Sequence, residues 1–538
     1  MGHPVKRVGS FILAAVMAAS LTACGGGGSN SPAASASGTG TDSAAVSDSK
    51  IDTSEHVKLN FLVLGDKPTN GRMEAAITEE NKLLTEKANA EISLQYIEWA
   101  DWQSKYQLAL ASQDGSIDMI GTATDWLYAW PSVRKGAFLP LTEEMLSTYA
   151  PKTWAAVPKE DWEDCTLDGK IWFIPEDQYT QWTNHGMFYR GDWAKETSLP
   201  DGKVTKFEDL ETYFDGVLKN HPGVIPWDIA APNNLAGLFP GYIESHTQDV
   251  TILGCDTGAY AIFYYDQSDP YKVISPVMEG QEFVDFAKLM KKWGDQGFWR
   301  SDVLNYQGDT RNLMYAGKSG ADQHHAQTYI TTTRPQMDAK QPGSDLQFYY
   351  WGKENKNVNR DLDTHGALAI SASSPHPERA LMVYDLIRND KQIYTLHNFG
   401  IEGKDYVMKD DGTLGYPEGY DSTKDALGTN FWYGRVDEFE PDHTDWYTEG
   451  KKTLYAELDS VAGKYALGKF AFDPTNVSAE IAAIADVCNN YIPSIAYGKA
   501  GDPEQAVSKF RSDLKNAGYD KVTAEIQAQL DKLKSSES

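Results

Sequence analysis

Val57-Lys58-Leu59-Asn60-Phe61-Leu62-Val63-Leu64-Gly65 decides the fold. Val57, Leu59, Phe61 and Val63 alternate, with Leu62 and Leu64 on the opposite side, so the stretch reads as a strand buried on both faces. Working outward, the loop Asp66-Lys67-Pro68-Thr69-Asn70-Gly71 leads into Met73, Ile77, Leu84 and Ala88 at helical spacing. Ile92, Leu94 and Tyr96 then alternate as a second strand. Trp102, Tyr106, Ala109 and Leu110 mark a second helix, and Ile117-Asp118-Met119-Ile120 a third short strand. Strand, helix, strand, helix, strand predicts a parallel sheet of an α/β domain, whose ligands sit outside the carboxyl ends of the strands. Further apolar stripes belong to cores: Phe283 to Trp293, a helix opened by Pro377, and one capped by Asp502-Pro503.

Upstream, Lys6 and Arg7 precede an apolar run from Phe11 to Leu21 that is too short to span a bilayer. Leu21-Thr22-Ala23-Cys24 follows, and it resembles the lipobox of bacterial lipoproteins. This predicts a leader over 1–23, acyl chains such as palmitate on Cys24, and a Gly-, Ser- and Ala-rich tether over 24–56. The expected place is the outer face of a bacterial cytoplasmic membrane, of the Gram-positive type.

At 538 residues the chain exceeds one ordinary core, so two lobes are expected. The net charge of −28, more negative still without Lys6 and Arg7, argues against nucleic acid as a partner. Besides Cys24, the widely spaced Cys165, Cys255 and Cys488 form no zinc or redox pattern. The 15 Trp and 29 Tyr stand largely in polar, Gly- and Asn-rich segments.

The order of these pieces resembles the extracellular solute-binding proteins of carbohydrate ABC importers (family 1), especially the maltose-binding branch. The motifs are Val63-Leu64-Gly65-Asp66-Lys67 with Asn70-Gly71, the run Leu110 to Ile120, and Gly136-Ala137-Phe138-Leu139-Pro140-Leu141. Asp168-Gly169-Lys170-Ile171-Trp172-Phe173-Ile174-Pro175 and Met187-Phe188-Tyr189-Arg190-Gly191-Asp192-Trp193 complete them. Asn398 to Lys404 and the helix from Ser478 to Tyr491 depart from that branch and resemble large lipoproteins of Gram-positive bacteria in the same superfamily. The resemblance implies an α/β, two-lobed periplasmic-binding-protein-like fold of type II, closing on ligand by hinge motion. Crossings are expected at 179–184, at 349–356 and after 387. They divide the chain into one lobe of 57–180 plus 357–392 and another of 183–350 plus 395–538. The implied role is a monomeric binding protein, without catalysis, cofactor or metal, that hands an oligosaccharide to the transmembrane subunits of a permease.

A sugar offers apolar ring faces and many hydroxyls, so its site needs flat aromatic platforms with orienting carboxylates and amides. Asp66 and Lys67 follow the first strand, and Asp125 and Trp126 the third; both pairs match sugar-contacting positions of the maltose-binding motif. Trp182 falls in the first crossing, as hinge packing or stacking platform. Trp227-Asp228 and Asn233-Asn234 form a loop rich in ligand-type groups. His324-His325 takes the place where relatives put a stacking Trp, without a metal-ligand spacing around it. Tyr350-Trp351, His365 and Phe431-Trp432-Tyr433 are further candidates, each equally suited to packing. The alternatives are an exported glycoside hydrolase, which needs two carboxylates about 5–10 Å apart, a surface lectin, or a receptor for a peptide or other non-sugar solute. No nucleophile elbow, phosphate loop or zinc-helix motif is present.

Overall fold

The computed structural model describes residues 51–537 except 179–181, 183–184, 231–237, 256–259, 423 and 430. The leader, Cys24, most of the tether, Asn233 and Asn234 therefore lie outside the described residues.

The strand Val57–Leu64 is the hub of a five-stranded sheet. It pairs in parallel with Ala90–Ile97 on one side and Met119–Thr122 on the other. Ala367–Ile370 then adds antiparallel, and Ile174–Pro175 pairs with it at the edge. Phe61, Val63 and Met119 enter one core, whereas Leu62, Leu64 and Ile120 enter another on the opposite face. The double-sided burial predicted for this strand is what a parallel sheet covered by helices requires.

A second assembly is built around the strand Gly186–Arg190, flanked antiparallel by Ala321–His324 and Leu346–Tyr350. A further antiparallel sheet joins Val250–Ile252, Tyr264–Asp266 and Asp269–Ile274. Their shared core contains Trp227, Trp293 and Trp351, and the helices Ser478–Ala496, Pro503–Asn516 and Tyr519–Glu537 close it. Asp502 caps the middle one by accepting from the Gln505 amide, as its Asp-Pro start predicts.

The chain passes from the first sheet to the second between Pro175 and Gly186, and returns between Tyr350 and Ala367. The return is longer than the expected 349–356. Thr124 and Thr364 stitch it to the first lobe, amide to carbonyl at 3.0 Å and hydroxyl to hydroxyl at 2.6 Å. The third passage differs more. Residues 395–439, expected in the second lobe, pack on the first. The helix Lys391–Phe399 lies against Arg72–Ala88 and Pro377–Asn389. Phe431 and Tyr433 meet Phe61 at 6.1 and 5.7 Å. Gly121 makes this possible, since a Cβ there would stand 2.4 Å from the Tyr433 ring. The chain rejoins the second lobe at Trp446 and Tyr447 and with the helix Thr448–Val461, whose Leu458 packs with Trp182 and Tyr350.

Carboxylates gather at these passages. Arg388, fully buried, pairs with Asp177 at 2.5 Å. Burial first, then the charge of Asp363 and a hydrogen bond to it, push the Asp161 carboxyl up to about 7. The folded chain therefore keeps a proton on Asp161 between about pH 4 and 7 that the unfolded chain releases. That contribution favours folding at acid pH and is lost as pH rises to about 7. Asp161→Asn, a permanently neutral side chain, is expected to raise the urea midpoint more at pH 8 than at pH 5. Equal changes at both pH values would contradict the raised carboxyl.

Candidate functional site

Loops from several strands meet at the carboxyl edge of the five-stranded sheet, where ligands of open α/β sheets sit. After Val57–Leu64 the Gly65 amide donates to the Ile97 carbonyl at 2.8 Å. Asp66 Oδ1 then accepts the Trp99 amide at 3.1 Å. Asp66 thus fastens the loop carrying Trp99, whose indole is 43% exposed. Trp99 stacks on Trp432 with centroids 6.1 Å apart and planes 15° apart. Trp126, from the loop after Met119–Thr122, lies 6.2 Å from Trp99 and 6.4 Å from Trp432. Trp102 braces it edge-on at 5.5 Å. Trp102, Trp126 and Trp432 pack on the core beneath and, with Trp99, leave a partly open aromatic surface beside carboxylates.

Beside the indoles stands a charged group. His365 Nδ1 donates to Asp125 Oδ2 at 2.6 Å and lies 3.3 Å from Asp361 Oδ2. Trp126 Nε1 donates to the His365 carbonyl at 3.0 Å. Burial alone would lower the His365 pKa; the charges of Asp125 and Asp361 outweigh it and hold the ring protonated, at about 10. Asp125, Asp361 and His365 have ligand atoms within 4.8 Å of one another, close enough to hold a metal ion. With both carboxylates turned to one protonated nitrogen, the arrangement in the structure is an ion-pair triad. Glu176, at the end of Ile174–Pro175, is 5% exposed, and its Oε1 has no hydrogen-bond partner among the described residues. Burial drives its carboxyl well above the usual range, against the charges of His365 and Arg435. Gly366 lets it approach: a Cβ at Gly366 would meet Glu176 Oε2 at 2.2 Å and Trp432 Cδ1 at 3.1 Å.

The second lobe presents imidazoles at the matching edge of its sheet. His185 precedes Gly186, which pairs with both His324 and Tyr350. His185 and His324 stack at 5.4 Å, and His324 meets His325 at 4.2 Å. Gln323 donates to His185 Nδ1, and His325 Nδ1 accepts the Thr328 amide. Burial, then the charge of His365, lowers the His185 pKa to about 4. His325 also feels His365, so His185 and His325 lie near the charged triad.

Of the residues singled out from sequence, Asp125, Trp126, His365 and Trp432 come together, His325 lies near them beside His324, and Asp66 supports the group. Others do not. Lys67 turns away, paired with Glu74 at 3.4 Å and lining a hollow of about 240 Å³ with Ile77 and Tyr96. Trp227 and Trp351 are core residues, fully buried. Trp351 lies so close to Gly241 that a Cβ there would touch its ring at 2.7 Å. Asp228 is buried behind them, its amide donating to Ser319 Oγ and its carboxylate 3.7 Å from Arg300. Trp182 is 4% exposed and packs edge-on against Tyr455 at 4.9 Å, so it serves packing at the crossing in place of a stacking platform. Trp99, His185, Asp361 and Glu176 were missed. Glu98-Trp99-Ala100-Asp101-Trp102, straight after a strand, was the signal for Trp99. Asp66→Ala should release the Trp99 loop and weaken ligand binding at this edge about threefold to tenfold, one hydrogen bond's worth. Tryptophan-fluorescence titration would read it, and unchanged affinity would contradict the tether.

Residues 466–535 match the family described as Domain of unknown function (DUF3502). Over 494 residues the chain is 24% identical to a Streptococcus pneumoniae protein named carbohydrate ABC transporter substrate-binding protein, covering 90% of this chain and 92% of that one. Among solved structures it resembles the N-glycan transport solute binding protein NgtS of S. pneumoniae, with TM-score 0.69 and 20% identity over 89% of this chain and 100% of that one. It also resembles the alginate-binding protein AlgQ2, with TM-score 0.61 and 17% identity over 89% and 98%. The chain has the two-lobed fold of the solute-binding proteins.

Proposed function

We propose that this chain is the substrate-binding component of a carbohydrate ABC importer. It captures an oligosaccharide between its lobes by hinge closure and delivers it intact to the permease. One observation carries the reading: the partly open indoles of Trp99, Trp126 and Trp432 stand beside the Asp125–His365–Asp361 triad, whose charge is felt at His185 and His325. Stacking and charge-assisted hydrogen bonds to hydroxyls are the two interactions a sugar site needs. NgtS was crystallised with Man5GlcNAc, which supports an oligosaccharide as the cargo and supplies a probe.

Catalysis is no part of this role. A glycosidase separates its two carboxylates across the scissile bond, whereas Asp125 and Asp361 turn to the same nitrogen. The mature chain works as a monomer on the outer face of the membrane, held by acyl chains on Cys24. No described helix is long and apolar enough to cross a membrane. Calorimetry with Man5GlcNAc, followed by analysis of the recovered sugar, tests the function. One-to-one binding with intact sugar is expected; shortened sugar formed with turnover would establish a hydrolase instead. Incorporation of labelled palmitate, lost in Cys24→Ala, tests the anchor.

A further inference from the structure

We propose, resting on the oligosaccharide reading, that the cleft selects by charge: it takes neutral sugars and rejects uronic-acid or sialic-acid bearing ones, through Asp125 and Asp361. The fold itself does not decide this, since it is shared by a protein named for alginate, a polyuronate, and by one crystallised with the neutral Man5GlcNAc.

The charge balance around the indoles decides it. His365 is shared by two carboxylates, so the triad carries one net negative charge when both are ionised; burial, opposed by the charge of His365, pushes the Asp361 carboxyl up. The guanidinium groups nearby each have a carboxylate partner. Arg435, felt by Glu176, pairs with Asp437 at 2.8 Å. Arg311, behind His324, pairs with Asp322 at 2.8 Å. Arg360, in the return crossing, faces Asp459 at 3.3 Å. None of the undescribed residues beyond 51 is Lys or Arg. The three imidazoles are neutral at pH 7, because burial opposes their protonation and His365 adds its charge against His185 and His325. A ligand carboxylate therefore meets the triad's negative charge with no counter-ion. At an effective dielectric of about 20, one charge about 8 Å from a like charge loses on the order of thirtyfold in affinity.

The test compares Man5GlcNAc with the same sugar after oxidation of its primary hydroxyls to carboxylates, by calorimetry at pH 7 on the full mature chain. The oxidised sugar is expected to bind at least about tenfold more weakly. Asp361→Asn, which leaves His365 balanced by Asp125 alone, should narrow that ratio several-fold, with its thermal midpoint measured alongside to show a folded chain. Asp125→Asn provides a second, independent variant. Equal or tighter binding of the oxidised sugar overturns the proposal. So does a ratio unchanged in both variants, which would remove these residues from the selection. If neither form binds, the oligosaccharide reading fails and takes this inference with it; neutral binding without discrimination sinks the inference alone.

Discussion

Trp126→Ala should weaken binding of Man5GlcNAc by on the order of 50- to 100-fold. The estimate takes about 100 Å² of apolar contact at about 25 cal/mol per Å², roughly 2.5 kcal/mol. Trp126 touches Trp99, Trp102 and Trp432 and donates to the backbone of His365, so its loss also loosens the platform and the triad. Stability should fall little, because the indole is only partly buried. Trp351→Phe is the matched contrast. It trims an indole packed against Phe207 and Tyr349 in the second lobe, so it should lower the thermal midpoint and leave sugar affinity alone. Calorimetry and thermal denaturation of the two variants check both halves. An affinity loss in the Trp351 variant and none in the Trp126 variant would reverse the assignment.

Arg388→Ala should cost about 3–5 kcal/mol of stability, the usual penalty for breaking a buried ion pair by removing one partner. Arg388 is fully buried and Asp177 is 3% exposed, so the abandoned carboxylate has no solvent to turn to. Its neighbours make matters worse, since the charge of Asp177 already raises the carboxyl of Asp161. Replacing both partners by apolar residues, Arg388→Met with Asp177→Leu, should cost much less than Arg388→Ala, because no charge is left stranded. Urea denaturation of the single and double variants reads this directly. A double variant as unstable as the single one would show that packing, not the stranded charge, dominates.

The first lobe was legible because its hub strand carries its own instructions. Alternation over Val57 to Leu64 specifies two covered faces, and both faces are found covered. The same local logic placed Asp125 and Trp126 at a strand's carboxyl end. The excursion of residues 395–439 onto that lobe was not legible. Phe431-Trp432-Tyr433 reads as an apolar run in any context, and only the bare surface at Gly121 fixes where it docks. Tryptophans failed for the same reason. Trp126, Trp227 and Trp351 each stand beside polar residues in sequence, yet burial separates them, and burial is set by distant partners such as Gly241. The imidazole wall was half legible: His324-His325 was noticed, but His185 joins it only through antiparallel pairing across more than a hundred residues.

The most direct test is a crystal structure of the mature chain with Man5GlcNAc. The account predicts sugar rings stacked on Trp99, Trp126 or Trp432, hydroxyls within hydrogen-bond reach of Asp125, Asp361 or Glu176, and His185, His324 and His325 on the far side. Sugar seated elsewhere, for instance in the hollow of about 390 Å³ beside Phe348 and Tyr447, with the indoles bare, would contradict it.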